Sequence, residues 1–89
     1  MTSRKLAPYV LQTIARHQLG NRLLTLQTLV DELGVRRSDL RKTVTALHRQ
    51  GLVDAMRMRL TLTGLVLGTA LLRNDLPPLR RPRVAVAAA

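Results

Sequence analysis

Residues 25–51 read TLQTLVDELGVRRSDLRKTVTALHRQG. The Thr25 hydroxyl can accept one of the free amides that open a helix, and behind it Leu26, Leu29, Val30 and Leu33 recur at i, i+3, i+4 and i+7. That spacing predicts a helix with one apolar side. Gly34 supplies a left-handed stop and Val35 a hydrophobic plug behind it, so the chain is expected to turn sharply. A second run, Leu40, Val44 and Leu47, predicts another helix that begins by Arg37 or Ser38 and stops at Gly51.

A helix, a short turn containing Gly and a second helix form a helix-turn-helix pattern. Downstream, Leu52–Ala55 and Met58–Leu62 carry β-capable alternation and are joined through Met56-Arg57, which predicts a small hairpin, a stubby wing. Thr61 or Thr63 can cap a last helix running through Leu65, Val66, Leu67, Ala70, Leu71 and Leu72 to about Arg73. Upstream, Leu6, Val10, Leu11, Ile14 and Ala15 predict a first helix, and Pro8, tolerated best in a first turn, sets its start near Ala7. Gly20 and Asn21 are expected to end it in a left-handed stop. The fold class expected is mainly α with a small β-hairpin, a winged helix-turn-helix built as a three-helix core, a short wing and a C-terminal helix. The domain is assigned to residues 1–76, and 77–89, with Arg80, Arg81 and Arg83, to a basic, disordered tail.

Eighty-nine residues suffice for one domain, which at this size buries only about 60% of its unfolded surface. With Tyr9 the sole aromatic residue, the core must be built from aliphatic side chains, and help from a second subunit is expected. Fifteen Lys and Arg against five Asp and Glu give a net charge of +10, which attracts a polyanion: nucleic acid or an acidic membrane surface. A genome rich in Arg codons would leave the same imprint without any binding role. The absence of cysteine excludes disulfides and thiolate metal sites and permits a reducing compartment, so a cytoplasmic location is expected. The apolar stretch 60–72 is interrupted by Thr and Gly and falls short of the roughly 18 residues of a membrane span. No acid occurs in the first thirty residues, as in a mitochondrial presequence, but they carry core positions the domain cannot spare.

Laid out at about 100° per residue, the third helix places Ser38, Lys42, Thr45 and Arg49 opposite its apolar stripe. Arg41 and His48 flank that face, and Arg36 and Arg37 stand at its N-terminal end. Cations and small hydroxyls suit a major groove, where Arg and Lys reach guanine O6 and N7 or phosphate and Ser and Thr tolerate close approach. The one carboxylate, Asp39, lies near the helix start, where it serves the dipole or accepts from a cytosine amine. Arg57 and Arg59 flank the hairpin tip, in reach of a phosphate or the minor groove, or as charges that discourage edge pairing. The bland alternative for all of these is an ordinary solvated surface. Double-stranded DNA is the expected partner.

These residues resemble winged helix-turn-helix regulators and, among them, the MarR-like branch. Thr25 through Val35 is similar to the first helix and turn of that pattern, and Leu40 through Leu47 with Gly51-Leu52-Val53 to its recognition helix entering the wing. Leu60-Thr61-Leu62-Thr63-Gly64 is similar to its L-T-x-x-G exit. The similarity covers residues 6–73 and implies operator binding by the third helix, hence a transcriptional regulator. Three features depart from the pattern: Arg36 stands where Ser or Thr often caps, the wing is short, and long flanking dimerisation helices are lacking.

In the last helix Leu62, Leu65, Val66 and Leu72 share one side while Leu67 and Leu71 project from another, so a homodimer through Leu67 and Leu71 is expected, with two recognition helices about 34 Å apart. His17 and His48, without cysteines or clustered carboxylates, do not suggest a metal, and each is read as a surface or half-buried imidazole. Asp31-Glu32 reads as solvated surface. With no phosphate loop, nucleophile elbow or carboxylate pair, neither catalysis nor a cofactor is expected. The rival readings are a winged-helix protein–protein adaptor, anchored by Leu67, Leu71, Met56 and Met58, and an RNA- or ribosome-associated basic domain, which the lack of stacking aromatics disfavours.

Overall fold

The computed structural model describes residues 3–74, 76 and 77, and is mainly helical with one small antiparallel hairpin. Helices α1 (Ser3–Leu19), α2 (Leu26–Leu33) and α3 (Arg37–Arg49) are followed by strands β1 (Val53–Asp54) and β2 (Arg59–Leu60) and by helix α4 (Leu62–Leu72). The hydrophobic core is built from aliphatic side chains: Val10, Leu11, Ile14 and Ala15 of α1 meet Leu29 of α2, Leu40, Val44 and Leu47 of α3, and Val53 and Leu60 of the hairpin.

Local chemistry explains where α2 and α3 begin and end. Thr25 Oγ1 accepts from the Thr28 amide at 3.2 Å, which starts α2, and Gly34 at φ 66° ends it, its amide donating to the Val30 carbonyl at 2.9 Å. Val35 packs half-buried against the core beyond that stop. Arg36 occupies the N-cap position of α3 with no side-chain cap. At the other end of α3, Gly51 takes φ 76°, its amide donates to the His48 carbonyl and the Leu52 amide reaches back to the Leu47 carbonyl. This pair of bonds is a Schellman closure, and it turns the chain straight into the hairpin.

Helix α1 departs from expectation at its start. It starts at Ser3, not near Ala7, and so encloses Pro8. Proline withholds one amide from the Arg4 carbonyl, but Arg4 is exposed, so water can take that bond. At the C-terminal end, of the two residues expected to form the stop, Asn21 (φ 59°) takes the left-handed turn. The Asn21 amide donates to the Gln18 carbonyl at 3.1 Å and the Arg22 amide to the His17 carbonyl at 2.9 Å, a second Schellman closure built on Asn.

The hairpin is shorter than the sequence suggests, with only Val53 opposite Leu60 and Asp54 opposite Arg59, around a four-residue turn Ala55–Met58. Two pairs cannot stand alone in water. Helical side chains hold them in place: the Leu60 amide donates to Gln18 Oε1 at 2.9 Å, and His48 Nδ1 lies 3.1 Å from the Val53 carbonyl and 3.3 Å from the Ala55 amide. Asp54 Oδ1 accepts from the Met56 and Arg57 amides and closes the turn. Leu62, assigned by pattern to the second strand, belongs to α4.

Of the two cap residues considered for α4, Thr61 does the capping. Its Oγ1 accepts from the Gly64 amide at 3.1 Å and donates to the Gly51 carbonyl at 2.6 Å, while its amide donates to the Leu52 carbonyl at 3.0 Å. One threonine thus starts α4 and ties it to the end of α3. The buried residues of α4 are Gly64 and Gly68, one turn apart, and its most extensive packing is against α1. A Cβ on Gly64 would lie 1.8 Å from the Leu52 carbonyl oxygen, and one on Gly68 would lie 2.9 Å from both the Ala15 Cβ and the Leu11 carbonyl oxygen. Bare backbone at these two positions lets the helix come close enough to close the core. After α4 the chain runs back beside α1: Gln12 Nε2 donates to the Leu71 and Asn74 carbonyls, and the Tyr9 hydroxyl donates to the Pro77 carbonyl. Of the tail only Pro77 is described; Arg80, Arg81 and Arg83 lie outside the described residues.

The reading of His17 needs correction, and exposed Glu32 does more than meet solvent. His17 is buried, with Nε2 at 2.5 Å from Glu32 Oε1, and Glu32 also lies 3.8 Å from Arg16, so a carboxylate read as solvated surface joins α1 to α2. Among the described residues the buried His17 Nδ1 has no partner and Glu32 is the polar contact of the imidazole. Replacing Glu32 by Ala strands both ring nitrogens and should cost about 1–3 kcal/mol in urea unfolding. Glu32→Gln, which keeps a hydrogen-bonding oxygen, should lose much less; equal losses would show that the pairing contributes nothing specific.

Candidate nucleic-acid interface

Leu40, Val44 and Leu47 are buried, and the rest of α3 is arranged around that fact. Ser38, Arg41, Lys42, Thr45 and Arg49 are all exposed, as are Arg36 and Arg37 at the head of the helix. Arg41, Lys42, Thr45 and Arg49, with Ala46, line one shallow concavity on the surface. Among the described residues none of those four side chains has a hydrogen-bond or ion-pair partner, so their donors are available to a ligand. Thr43, by contrast, is buried and donates to the Asp39 carbonyl at 2.8 Å.

Arg37 differs from its neighbours because its guanidinium donates to Gln27 Oε1, whose amide nitrogen in turn donates to Asp31 Oδ1. This chain fastens the start of α3 to α2 and holds the angle between them. His48 is exposed, but its Nδ1 is engaged by the hairpin, so it positions the hairpin rather than extending the cationic face. Arg57 and Arg59 are exposed at and beside the hairpin turn. Arg57 Nε lies 3.8 Å from Asp54 Oδ2, an exposed pairing of little energetic weight.

The hairpin also borders a second concavity, which the sequence reading missed. This half-open cleft lies between the end of α1, the segment 21–24 and the hairpin turn, and its lining includes Gln18, Asn21, Arg22, Arg57, Met58 and Arg59. No local pattern marks it, since its residues come from three separate stretches of the chain.

The two leucines assigned to a dimer interface part company. Leu67 is 44% exposed, whereas Leu71 is half-buried against the core. The other large apolar residues exposed on α4 are Leu62 (80%) and Val66 (62%), which the helical pattern had placed on another side. The inward direction of α4 is set by its glycines, and that turns Leu62 and Val66 to solvent. Among the described residues no helix is long and apolar enough to cross a membrane. No family model, curated protein or solved structure matches the chain, so the functional reading rests on the geometry of these surfaces.

Proposed function

We propose that this chain is a winged helix-turn-helix protein, MarR-like in pattern, that binds double-stranded DNA with sequence preference as a small cytoplasmic transcriptional regulator. The observation that carries the reading is the outer face of α3, where Arg41, Lys42, Thr45 and Arg49 are exposed, have no side-chain partner among the described residues and surround no acid, on a helix whose other face is locked into the core. Its side chains have the reach and donor chemistry for base edges and phosphates, and Arg57 and Arg59 extend the positive surface to the hairpin. The net charge of +10 supplies long-range attraction.

A homodimer completes the proposal. The apolar residues Leu62, Val66 and Leu67 give α4 an outward face that a second copy can cover, in place of the Leu67–Leu71 pair. The adaptor alternative is weaker on the same grounds, because of its four anchors Leu71 and Met58 pack against the core. Selection from a random duplex pool, followed by mobility shifts of the selected duplex, an unrelated duplex and RNA across salt, tests the reading. We expect preference for the selected duplex and a log–log salt slope of about −0.9 per phosphate neutralised. Equal retention of all three polymers would overturn sequence preference, and sedimentation showing only the 9.9 kDa species at micromolar concentration would remove the dimer.

A further inference from the structure

The lining of the cleft between α1, segment 21–24 and the hairpin turn includes three arginines, Arg22, Arg57 and Arg59. Their backbone is well fixed. Arg22 is the residue whose amide completes the Schellman closure on His17, and Arg59 sits in the hairpin ladder opposite Asp54. The Arg22 side chain lies over Gly20, where a Cβ would come within 3.2 Å of its Nε, so the absence of a side chain there leaves room for it. Among the described residues Arg22 and Arg59 have no side-chain hydrogen bond or ion pair, and the nearby carboxylate, Asp54, is occupied by Arg57 and two backbone amides. Gln18 gives its oxygen to the Leu60 amide, which leaves the two N–H donors of its side chain without a described partner. Among the described residues the two non-glycine residues with left-handed backbone, Asn21 and Met58, both line this cleft. Such conformations are costly for a residue like Met and are concentrated at ligand-binding places.

Cations that share the lining of one concavity repel one another until an anion enters, and a guanidinium pair with an amide donor matches the oxygens of a phosphate. Resting on the duplex-binding reading above, we infer that the cleft holds one phosphate of the DNA backbone between Arg22 and Arg59, a contact outside the α2–α3 pair. Arg22 then acts as a clamp that fixes the register of the hairpin on the duplex without reading bases.

Titration of the selected duplex with the wild-type chain, Arg22→Ala, Arg59→Ala and the double variant tests this. Arg22→Ala should weaken binding about fivefold or more and reduce the log–log salt slope by about 0.9, for selected and unrelated duplexes alike. Arg59→Ala should do the same, and the double variant should lose little beyond either single one, because one phosphate is shared. The arginine Nε–H resonances of Arg22 and Arg59 in the wild-type chain should shift together on adding duplex, a readout that no folding defect of a variant can imitate. Unchanged affinity, slope and resonances at Arg22, in a chain that still binds duplex through α3, would overturn the cleft and leave the α3 reading intact. Fully additive losses would overturn the shared phosphate, and a wild-type chain that retains no duplex would overturn both proposals.

Discussion

Gly64→Ala should destabilise the chain by about 3 kcal/mol or more, enough to lower its urea midpoint by over about 1 M and leave a substantial fraction unfolded. The added methyl would lie 1.8 Å from the Leu52 carbonyl oxygen and 2.8 Å from its carbon, atoms of a backbone pinned by the Thr61 amide and by the Schellman closure of α3. Neither side can yield without opening the junction between α3, the hairpin and α4. The gain of about 1 kcal/mol that alanine offers over glycine inside a helix runs the other way and is too small to compensate. Gly68→Ala meets Ala15 Cβ and the Leu11 carbonyl at 2.9 Å, a lesser overlap for which about 1–2 kcal/mol is expected. Thr63→Ala, on the exposed side of the same turn, should change little and serves as the control. A Gly64→Ala chain as stable as the wild type would mean that α4 is not seated on Leu52.

Replacing Arg41 and Lys42 together by Ala should reduce the preference for selected over unrelated duplex by ten- to a hundredfold or more, with little change in unfolding. The first expectation follows because a good base-edge contact is worth about 1–3 kcal/mol of discrimination and both donors go at once. The second follows because both side chains are exposed and hold no described residue in place, a situation in which substitutions shift stability by about 0.5 kcal/mol or less. The comparison with Arg22→Ala is informative, since a backbone clamp weakens every duplex equally while a base reader weakens the preferred one most. Competition binding with selected and unrelated duplexes separates the two. A double variant that keeps the full preference would remove α3 from the groove.

How much of this was legible in the sequence depended on whether the signal was local. Helix α2 announces itself because Thr25, four aliphatic residues at helical spacing and Gly34 all agree, and the exposed face of α3 follows from the buried one by geometry alone. Pattern failed in α4, where aliphatic residues occupy nearly the whole circumference. There the inward face is chosen by the two residues with no side chain, Gly64 and Gly68, which a search for apolar stripes passes over. The stop at Asn21 rather than Gly20 turned on which of two permissive neighbours takes the left-handed turn, and composition does not separate them. His17 with Glu32, and Arg22 with Arg59, are pairs brought together only by tertiary packing across 15 and 37 positions, so no spacing rule reaches them. Pro8 shows a further limit, since its preference for a first turn is real but gives way where the orphaned carbonyl faces water.

The way the hairpin is fastened has a practical side. Lifted out and grafted onto another scaffold, the segment 53–60 would arrive as a loose loop, because the groups that hold it, Gln18 and His48, stay behind on the helices of the donor. A transplant intended to carry the arginines of that loop to a new address would have to bring along a glutamine and a histidine in matching places, as part of the cargo.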